Sequence, residues 1–365
     1  MSIRSPFRTA HGQTTHREGL ILKLVDDDGL VGLGEAAPLA EFGGGDIERA
    51  ERLLASLVPE LMKLDSADAE QRLASLLPDA PNTSAVRFAL ETALLDLQAQ
   101  RADMRIADLL SSDVRDSIPV NATVGQAVDT LAIEAARDAV SHGFRTVKLK
   151  IAIGDSLQSE VDRVAAVRAA IGPETRLRLD ANGAWTVPQA IEMINALARF
   201  DIELIEQPVA PADRVGLAKV RHEVGVPIAA DEAVLGLESA RRVIDAGAAD
   251  VLVVKPMACG GLHAGRRIIE LAHASGLRCI VTSSLECGIG VAASLHVAAT
   301  LPFDSPACGL ATLDLLEDDL IVEPLDIVDG RIALPDRLGL GVRDDEEAMG
   351  RHANFRNGHQ SSSGP

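Results

Sequence analysis

Thr146-Val-Lys148-Leu-Lys150, Arg176-Leu-Arg178-Leu-Asp180, Ile202-Glu-Leu-Ile-Glu206, Pro227-Ile-Ala-Ala-Asp231 and Asp250-Val-Leu-Val-Val-Lys255 are five short runs rich in apolar residues, each closing on a charge. The closing charges recur at intervals of 26 residues from Asp180 to Glu206, 25 to Asp231 and 24 to Lys255. That interval fits one strand, one helix and two short loops. Working outward, strand-like runs begin near residues 119, 146, 176, 202, 227, 250, 278 and 305, with amphipathic stretches between them. Eight such alternations predict an α/β fold with a parallel barrel and right-handed crossovers. An open doubly wound sheet is the alternative, but no Gly-rich phosphate fingerprint follows the first strand of either half.

The first 118 residues read differently. Leu20 to Val25 and Leu30 to Glu35 form a hairpin around Asp26-Asp-Asp-Gly29, whose Asp-Gly pair suits the positive φ of a tight turn. The acidic triplet lacks the later ligands of a calcium loop. Asp46 to Met62 and Ser84 to Arg101 carry helical periodicity, with Ser84 as the expected N-cap of the second. Between hairpin and first helix, Glu35 to Gly45 is either a lid or a plain connector. The order predicts a small α+β domain over residues 1–118, a barrel over 119–319, and a segment over 320–352 returning to the first domain. In that segment two short strands flank Asp329-Gly330. Residues 353–365 read as a disordered tail.

Composition narrows the function. A net charge of −19 disfavours nucleic acid and anionic membranes as partners. Aromatics are 2% of the chain, too few for base-stacking platforms. No apolar run reaches the roughly 18 residues of a membrane span, and the N-terminus has no apolar signal core, so a soluble, cytoplasmic protein is expected. Cys259, Cys279, Cys287 and Cys308 form no CxxC pair and are expected to be reduced and buried.

In such barrels catalytic groups stand at the C-terminal strand ends. Asp180, Glu206 and Asp231 occupy that position on three consecutive strands. Each could merely cap the following helix, but three in register call for a hard cation between them. Oxygen donors without His or Cys select Mg²⁺, with a small carboxylate as the natural partner ligand. Side-chain alternation puts Lys148 and Lys150 on one face, and Arg178, Asp180 and Asn182 on another shared face. Lys255 falls on the sixth strand, opposite Lys150 across the mouth. A lysine crowded by a second cation loses basicity and can take a proton α to a carboxylate.

These motifs, together with Glu206-Gln-Pro208, Asp231-Glu232, Lys255-Pro256 and Thr282-Ser-Ser-Leu-Glu286, resemble the enolase superfamily, specifically its muconate-lactonizing subgroup. The resemblance implies a (β/α)7β TIM-like barrel with an N-terminal α+β capping domain. It further implies Mg²⁺ (Mn²⁺ substituting) on Asp180, Glu206 and Asp231, Lys150 and Lys255 as acid/base groups, and Lys148 tuning Lys150. The chemistry the resemblance implies, a lysine base with a Mg²⁺-stabilised enediolate, is established for that superfamily. Asn182 and Glu232 would support the first rank. Substrate contacts are expected from Ser283, Ser284, Arg178 and Gly309. Arg8, Thr9, Phe42 and Gly43–Gly45 are candidates by position.

Dipeptide epimerases of the subgroup carry an Asp-x-Asp pair near strand eight, where this chain has Gly309-Leu310-Ala311. Asp314 nearby is flanked by leucines. The Gly309-Leu-Ala-Thr312 run and the Ser283-Ser284 segment most resemble the o-succinylbenzoate synthase family. That family dehydrates 2-succinyl-6-hydroxy-2,4-cyclohexadiene-1-carboxylate to 2-succinylbenzoate in menaquinone biosynthesis. N-succinylamino-acid racemase and dipeptide epimerase chemistry on the same two-lysine site are the alternatives, and a non-catalytic anion-binding barrel is a remote third. Subgroup membership also makes a homo-oligomer an expectation.

Overall fold

The computed structural model describes residues 1–9, 12–64, 66–77, 82–154 and 156–353. The predicted disordered tail falls almost wholly outside them, as do the side chains of Arg8 and Thr9.

The chain opens with two antiparallel pairs, β1 (Ser2–Thr9) with β2 (Gly12–His16) and β3 (Leu20–Val25) with β4 (Val31–Ala36). Asp26 closes the second hairpin: its Oδ1 accepts from Asp28 N at 3.0 Å and Leu30 N at 2.8 Å, with Gly29 at φ +81°. Helices α1 (Ile47–Leu61), α2 (Ser66–Leu76), α3 (Ser84–Arg101) and α4 (Ile106–Leu110) follow. Asp46 caps α1 by accepting from Arg49 N at 2.7 Å. The expected cap of α3 shifts by one residue, from Ser84 to Thr83, and neither makes a side-chain cap bond. Gly32 and Gly34 let β4 lie directly on α3, because a Cβ at either would run into the carbonyl oxygens of Ala93 and Ala89.

The barrel strands come next. Short β5 (Ser117–Pro119) precedes β6 (Ala122–Val124), and α5 (Asp129–Ser141) leads to β7 (Thr146–Lys150). Then α6 (Leu157–Ile171), β8 (Arg176–Asp180), α7 (Val187–Leu197), β9 (Ile202–Glu206) and α8 (Arg214–Glu223) alternate. The ring continues through β10 (Ile228–Ala230), α9 (Leu237–Asp245), β11 (Val251–Val254), α10 (Pro256–Cys259), α11 (Leu262–Ala274), β12 (Arg278–Val281) and α12 (Gly288–Ala299). Strands β6 to β12 form one parallel sheet in sequential order.

Two expectations at the ring's ends are corrected. The first barrel strand begins at Ala122, not near 119, because Ser117–Pro119 pairs instead with a C-terminal hairpin. The eighth strand, expected near 305, is reduced to single bridges from Cys308 to Val120 and from Gly309 to Thr282, which join the two edges of the sheet. The C-terminal hairpin is β13 (Ile327–Val328) and β14 (Arg331–Ala333), turning at Asp329-Gly330. It packs on β5 rather than on the capping sheet. The contact with the cap comes later, where Gly339 bridges Arg105 and Leu340 N donates to Asp96 at 2.8 Å. Helix α13 (Glu346–His352) ends the described chain.

Alternation sorts the barrel strands into two faces. Leu204, Ala229, Val251, Val253 and Ile280 form their own small cluster inside the ring. Ile205, Ile228, Leu252, Val254 and Val281 join the main core under the helices. Lys148, Lys150, Asp180, Glu206, Asp231 and Lys255 share the parity of the inner set, so the same period that buries the core aims these charges into the ring.

His296 on α12 welds barrel to cap. Its Nδ1 accepts from Ala107 N at 3.1 Å, so the proton sits on Nε2, which donates to Leu340 O at 3.0 Å. Burial pushes this imidazole down to about 4. Neutral His296 therefore contributes stability that is complete above pH 6.5 and is lost as pH falls from 6.5 to 4, at most about 3 kcal/mol. His296→Gln should flatten the melting-temperature profile in that window; a variant as acid-sensitive as the parent there would show that other groups control it.

Candidate active site

Lys148 and Lys150 point inward from β7, Asp180 from β8 and Glu206 from β9, with Lys150, Asp180 and Glu206 in register. Asp231 follows β10, and Lys255 is the N-cap of α10 after β11. The Lys148 ammonium donates to Asp180 Oδ2 at 3.1 Å and Glu206 Oε1 at 3.0 Å. Lys150 donates to Asp180 Oδ2 at 2.6 Å and Asn182 Oδ1 at 2.9 Å. Lys255 pairs with Asp231 Oδ1. Asn182 turns back through φ +44° and donates from Nδ2 to Glu232 Oε1 at 2.9 Å, linking β8 to β10.

Gln207 was not singled out beforehand. Its Oε1 accepts from Asp231 N at 3.0 Å and Ala233 N at 3.2 Å, which sets the backbone that carries Asp231. It stands at φ +39°, a left-handed non-glycine beside the site.

Lys148, Lys150, Asn182, Asp231, Glu232 and Lys255 line a cavity of about 340 Å³, with Asp180 and Glu206 buried behind the lysines. Lys150 and Lys255 flank it, with Asn182, Asp231 and Glu232 between them. Thr282, Ser283, Ser284, Gly309 and Thr312 form the far wall, and Leu39, Phe42, Leu285 and Leu315 add apolar surface. Phe42 belongs to a one-turn 3-10 helix, Ala40–Phe42, in the predicted lid-or-connector stretch. Its ring stands 4.2 Å from the Lys255 ammonium, so this stretch reaches the charged lining of the cavity. The cap's loop contribution was legible by position alone and Thr312 as the end of the Gly309–Thr312 run; Leu315 carried no signal for a place in the cavity wall.

Arg178 does not join them. The β8–β9 register slips at Arg178, and Glu203 pairs with its Nε at 2.5 Å. Nη1 donates to Ala307 O at 2.7 Å and to Asn121 Oδ1 at 3.2 Å. The expected substrate contact is corrected to a buried ion pair one layer below the cavity, two residues short of the strand end. Asp314 is exposed in a short turn, Leu313–Leu315, away from the cavity lining. All four cysteines are buried and none is in a disulfide.

Burial raises Glu206 to about 8, and the neighbouring Asp180 carboxylate adds to it. Burial alone would raise Asp180 too, but Lys150 and Lys148 outweigh it and hold that acid low. Burial also raises Asp231, against the pull of Lys255. Desolvation by itself would depress Lys148 and Lys255, yet the surrounding carboxylates win and both are held above the ordinary lysine value. The expected loss of basicity is thus corrected for Lys255: its nearest charges are Asp231 and Glu232, not another ammonium.

Among the described residues no three His, Cys, Asp or Glu side chains stand grouped to grip a metal ion. Asp180, Glu206 and Asp231 each turn toward a lysine instead. The donor chemistry nevertheless fits a hard cation. Three buried carboxylates end adjacent strands, neither imidazole nor thiolate lines the cavity, and Glu206 carries a proton demand that a divalent charge would relieve.

A family described as mandelate racemase / muconate lactonizing enzyme, N-terminal domain, matches residues 1–111, and one described as enolase C-terminal domain-like matches residues 131–348. The chain belongs to the enolase superfamily, in its muconate-lactonizing subgroup. It is 48% identical over 213 residues to the o-succinylbenzoate synthase of Thermobifida fusca (strain YX), a match covering 58% of this chain and 65% of that one. The aligned stretch is therefore just under two thirds of that relative. It is 31% identical over 348 residues to the N-succinylamino acid racemase of Thermus thermophilus, covering 94% of this chain and 91% of the relative. Among solved structures it is similar to the dipeptide epimerase from Enterococcus faecalis V583 complexed with Mg and the dipeptide L-Leu-L-Tyr, with TM-score 0.86, 28% identity and coverage of 93% and 96%. Among the described residues no helix is long and apolar enough to cross a membrane.

Proposed function

We propose that this chain is an o-succinylbenzoate synthase, a carbon–oxygen lyase that dehydrates 2-succinyl-6-hydroxy-2,4-cyclohexadiene-1-carboxylate. The observation that carries the choice of substrate is the cavity's far wall. It offers hydroxyls and no acid to grip an ammonium group: Ser283 Oγ meets Thr312 Oγ1 at 2.7 Å, and the buried Ser284 Oγ has no hydrogen-bond partner among the described residues. A Cβ at Gly309 would run into Thr282 Oγ1, so an epimerase-type aspartate does not fit there. Hydroxyls of this kind suit the carboxylate of a succinyl tail.

Asp180, Glu206 and Asp231 would hold Mg²⁺. Bound there, it would neutralise their mutual repulsion and polarise the substrate carboxylate. Lys150, as the free amine, takes the α-proton. Its ammonium then gives that proton to the departing hydroxyl on the same face; the C–O bond breaks, water leaves and the ring becomes aromatic. Lys255 stays charged and faces the enediolate that forms between the two steps. Asn182 holds the Lys150 amine through its Oδ1. Lys148, between Asp180 and Glu206, balances the acid cluster.

A second activity, racemisation of N-succinylamino acids, is favoured by lysines on both flanks of the cavity. A panel of three substrates with Mg²⁺ separates the cases: the cyclohexadiene, an N-succinylamino acid and a hydrophobic dipeptide. Dehydration should exceed racemisation by about 10²-fold in kcat/KM, a margin set by transition-state fit. Efficient dipeptide epimerisation with no dehydration would overturn the assignment.

A further inference from the structure

A second knot of buried polar groups lies behind the serine wall, and its centre is Arg17, just after β2. The side chain is buried. Its guanidinium donates to four backbone carbonyls: Ala37 at 2.6 Å, Pro38 at 3.1 Å, Ser284 at 3.1 Å and Leu285 at 3.2 Å. Two belong to the capping domain and two to the barrel. Its own backbone is tied down by Met1, with reciprocal bonds of 2.8 Å. Buried Glu286 and Glu35 balance the charge. Glu286 accepts from Ser284 N at 2.5 Å, and Glu35 from Cys287 N at 2.9 Å.

What the four carbonyls carry gives the guanidinium a role beyond neutral packing. Ala37 and Pro38 run directly into Leu39 and Phe42, which form the cap's wall of the cavity. Ser284 belongs to the serine wall and Leu285 continues it into the apolar lining, held at φ +63°. We propose that Arg17 is a positioning residue that sets the distance between these two walls, and so the fit of the substrate's distal part. Only a planar fork with five donors serves four carbonyls in two directions; a lysine has three donors at one point. Left alone, the carbonyls would be buried and unpaired, and the loop would relax out of its left-handed turn.

Arg17 also lines a separate cavity of about 460 Å³ with Glu35, Cys287 and Leu285. Leu285 is common to both cavities. A small cation can therefore enter from the rear once the side chain is shortened.

The proposal rests on the proposed site but not on its substrate. The assay uses whichever panel substrate is turned over best, so a wrong substrate shows in the panel and a wrong role for Arg17 shows here. In the full-length protein with Mg²⁺, Arg17→Ala should lower kcat/KM by about 30-fold or more, mostly through KM, as expected for a displaced binding wall. Guanidinium chloride at tens of millimolar should restore at least several-fold, and NaCl at equal ionic strength should restore nothing. Arg17→Lys should keep the charge yet show a raised KM close to that of the alanine variant. If Arg17→Ala fails to fold, the KM of Arg17→Lys decides. A wild-type KM in Arg17→Lys, a loss confined to kcat, or no rescue beyond NaCl would each overturn the proposal.

Discussion

Lys150→Ala is expected to lower kcat for dehydration by about 10³ to 10⁴, the most that positioned general acid–base catalysis supplies. Two roles fall on one side chain, so both proton steps fail together. The same substitution should abolish exchange of the α-proton with deuterated water, followed by NMR. Lys150→Arg should do no better, because a guanidinium keeps the charge but offers no lone pair at neutral pH. Lys255→Ala should cost less, about 10² to 10³, since it removes a facing charge and leaves the base. The geometry supports this split. Lys150 is held by two partners, Asp180 and Asn182, at the end of β7, while Lys255 lies against Asp231 with an aromatic ring over it. Full exchange in Lys150→Ala alongside none in Lys255→Ala would reverse the assignment of the two amines.

The second large effect concerns the acid cluster. Chelation with EDTA should bring turnover to background, and Mg²⁺ should restore it. Mg²⁺ should also raise the melting temperature, because a ligand that binds the folded state alone at about 100 times its Kd adds about 2.7 kcal/mol. Glu206→Gln should lose most of that thermal response. Glu206 is the informative position, since burial and Asp180 push it to about 8. At neutral pH without a cation it is largely protonated, so binding the metal there must release a proton. Proton release on Mg²⁺ binding, measured in two buffers of different ionisation enthalpy, should fall in Glu206→Gln. A melting temperature indifferent to Mg²⁺ in the parent protein would sink the metal assignment.

Much of this was written in the chain. Three carboxylates and two lysines stand at strand ends, with Lys148 one inward-facing step before Lys150, because a period of two aims every second residue into the ring, and that period is visible in the sequence. The interval of about 25 residues announced the strand–helix unit. Local chemistry predicted the turn at Asp26–Gly29 just as well. Two of the misreadings share one cause. Ser117–Pro119 and Arg178 are locally good barrel residues, and what redirected them was a partner far away: Arg331–Ala333 for the first, and a slipped Glu203 for the second.

The sequence by itself determined the repeating strand–helix architecture, the cap ahead of it and the identity of the charged groups, because each depends on short-range periodicity and side-chain type. Tertiary structure alone decided that Phe42 covers Lys255, that Lys255 is held charged by Asp231, and that Arg17 spans cap and barrel. The Phe42–Lys255 contact spans 213 positions and the Arg17–Ser284 bond 267, whereas Lys255 lies 24 positions from Asp231 and Arg17 lies 20 from Ala37. No local pattern encodes which distant carbonyl or ring a buried cation will meet, because burial removes water as the alternative partner only after the chain has folded.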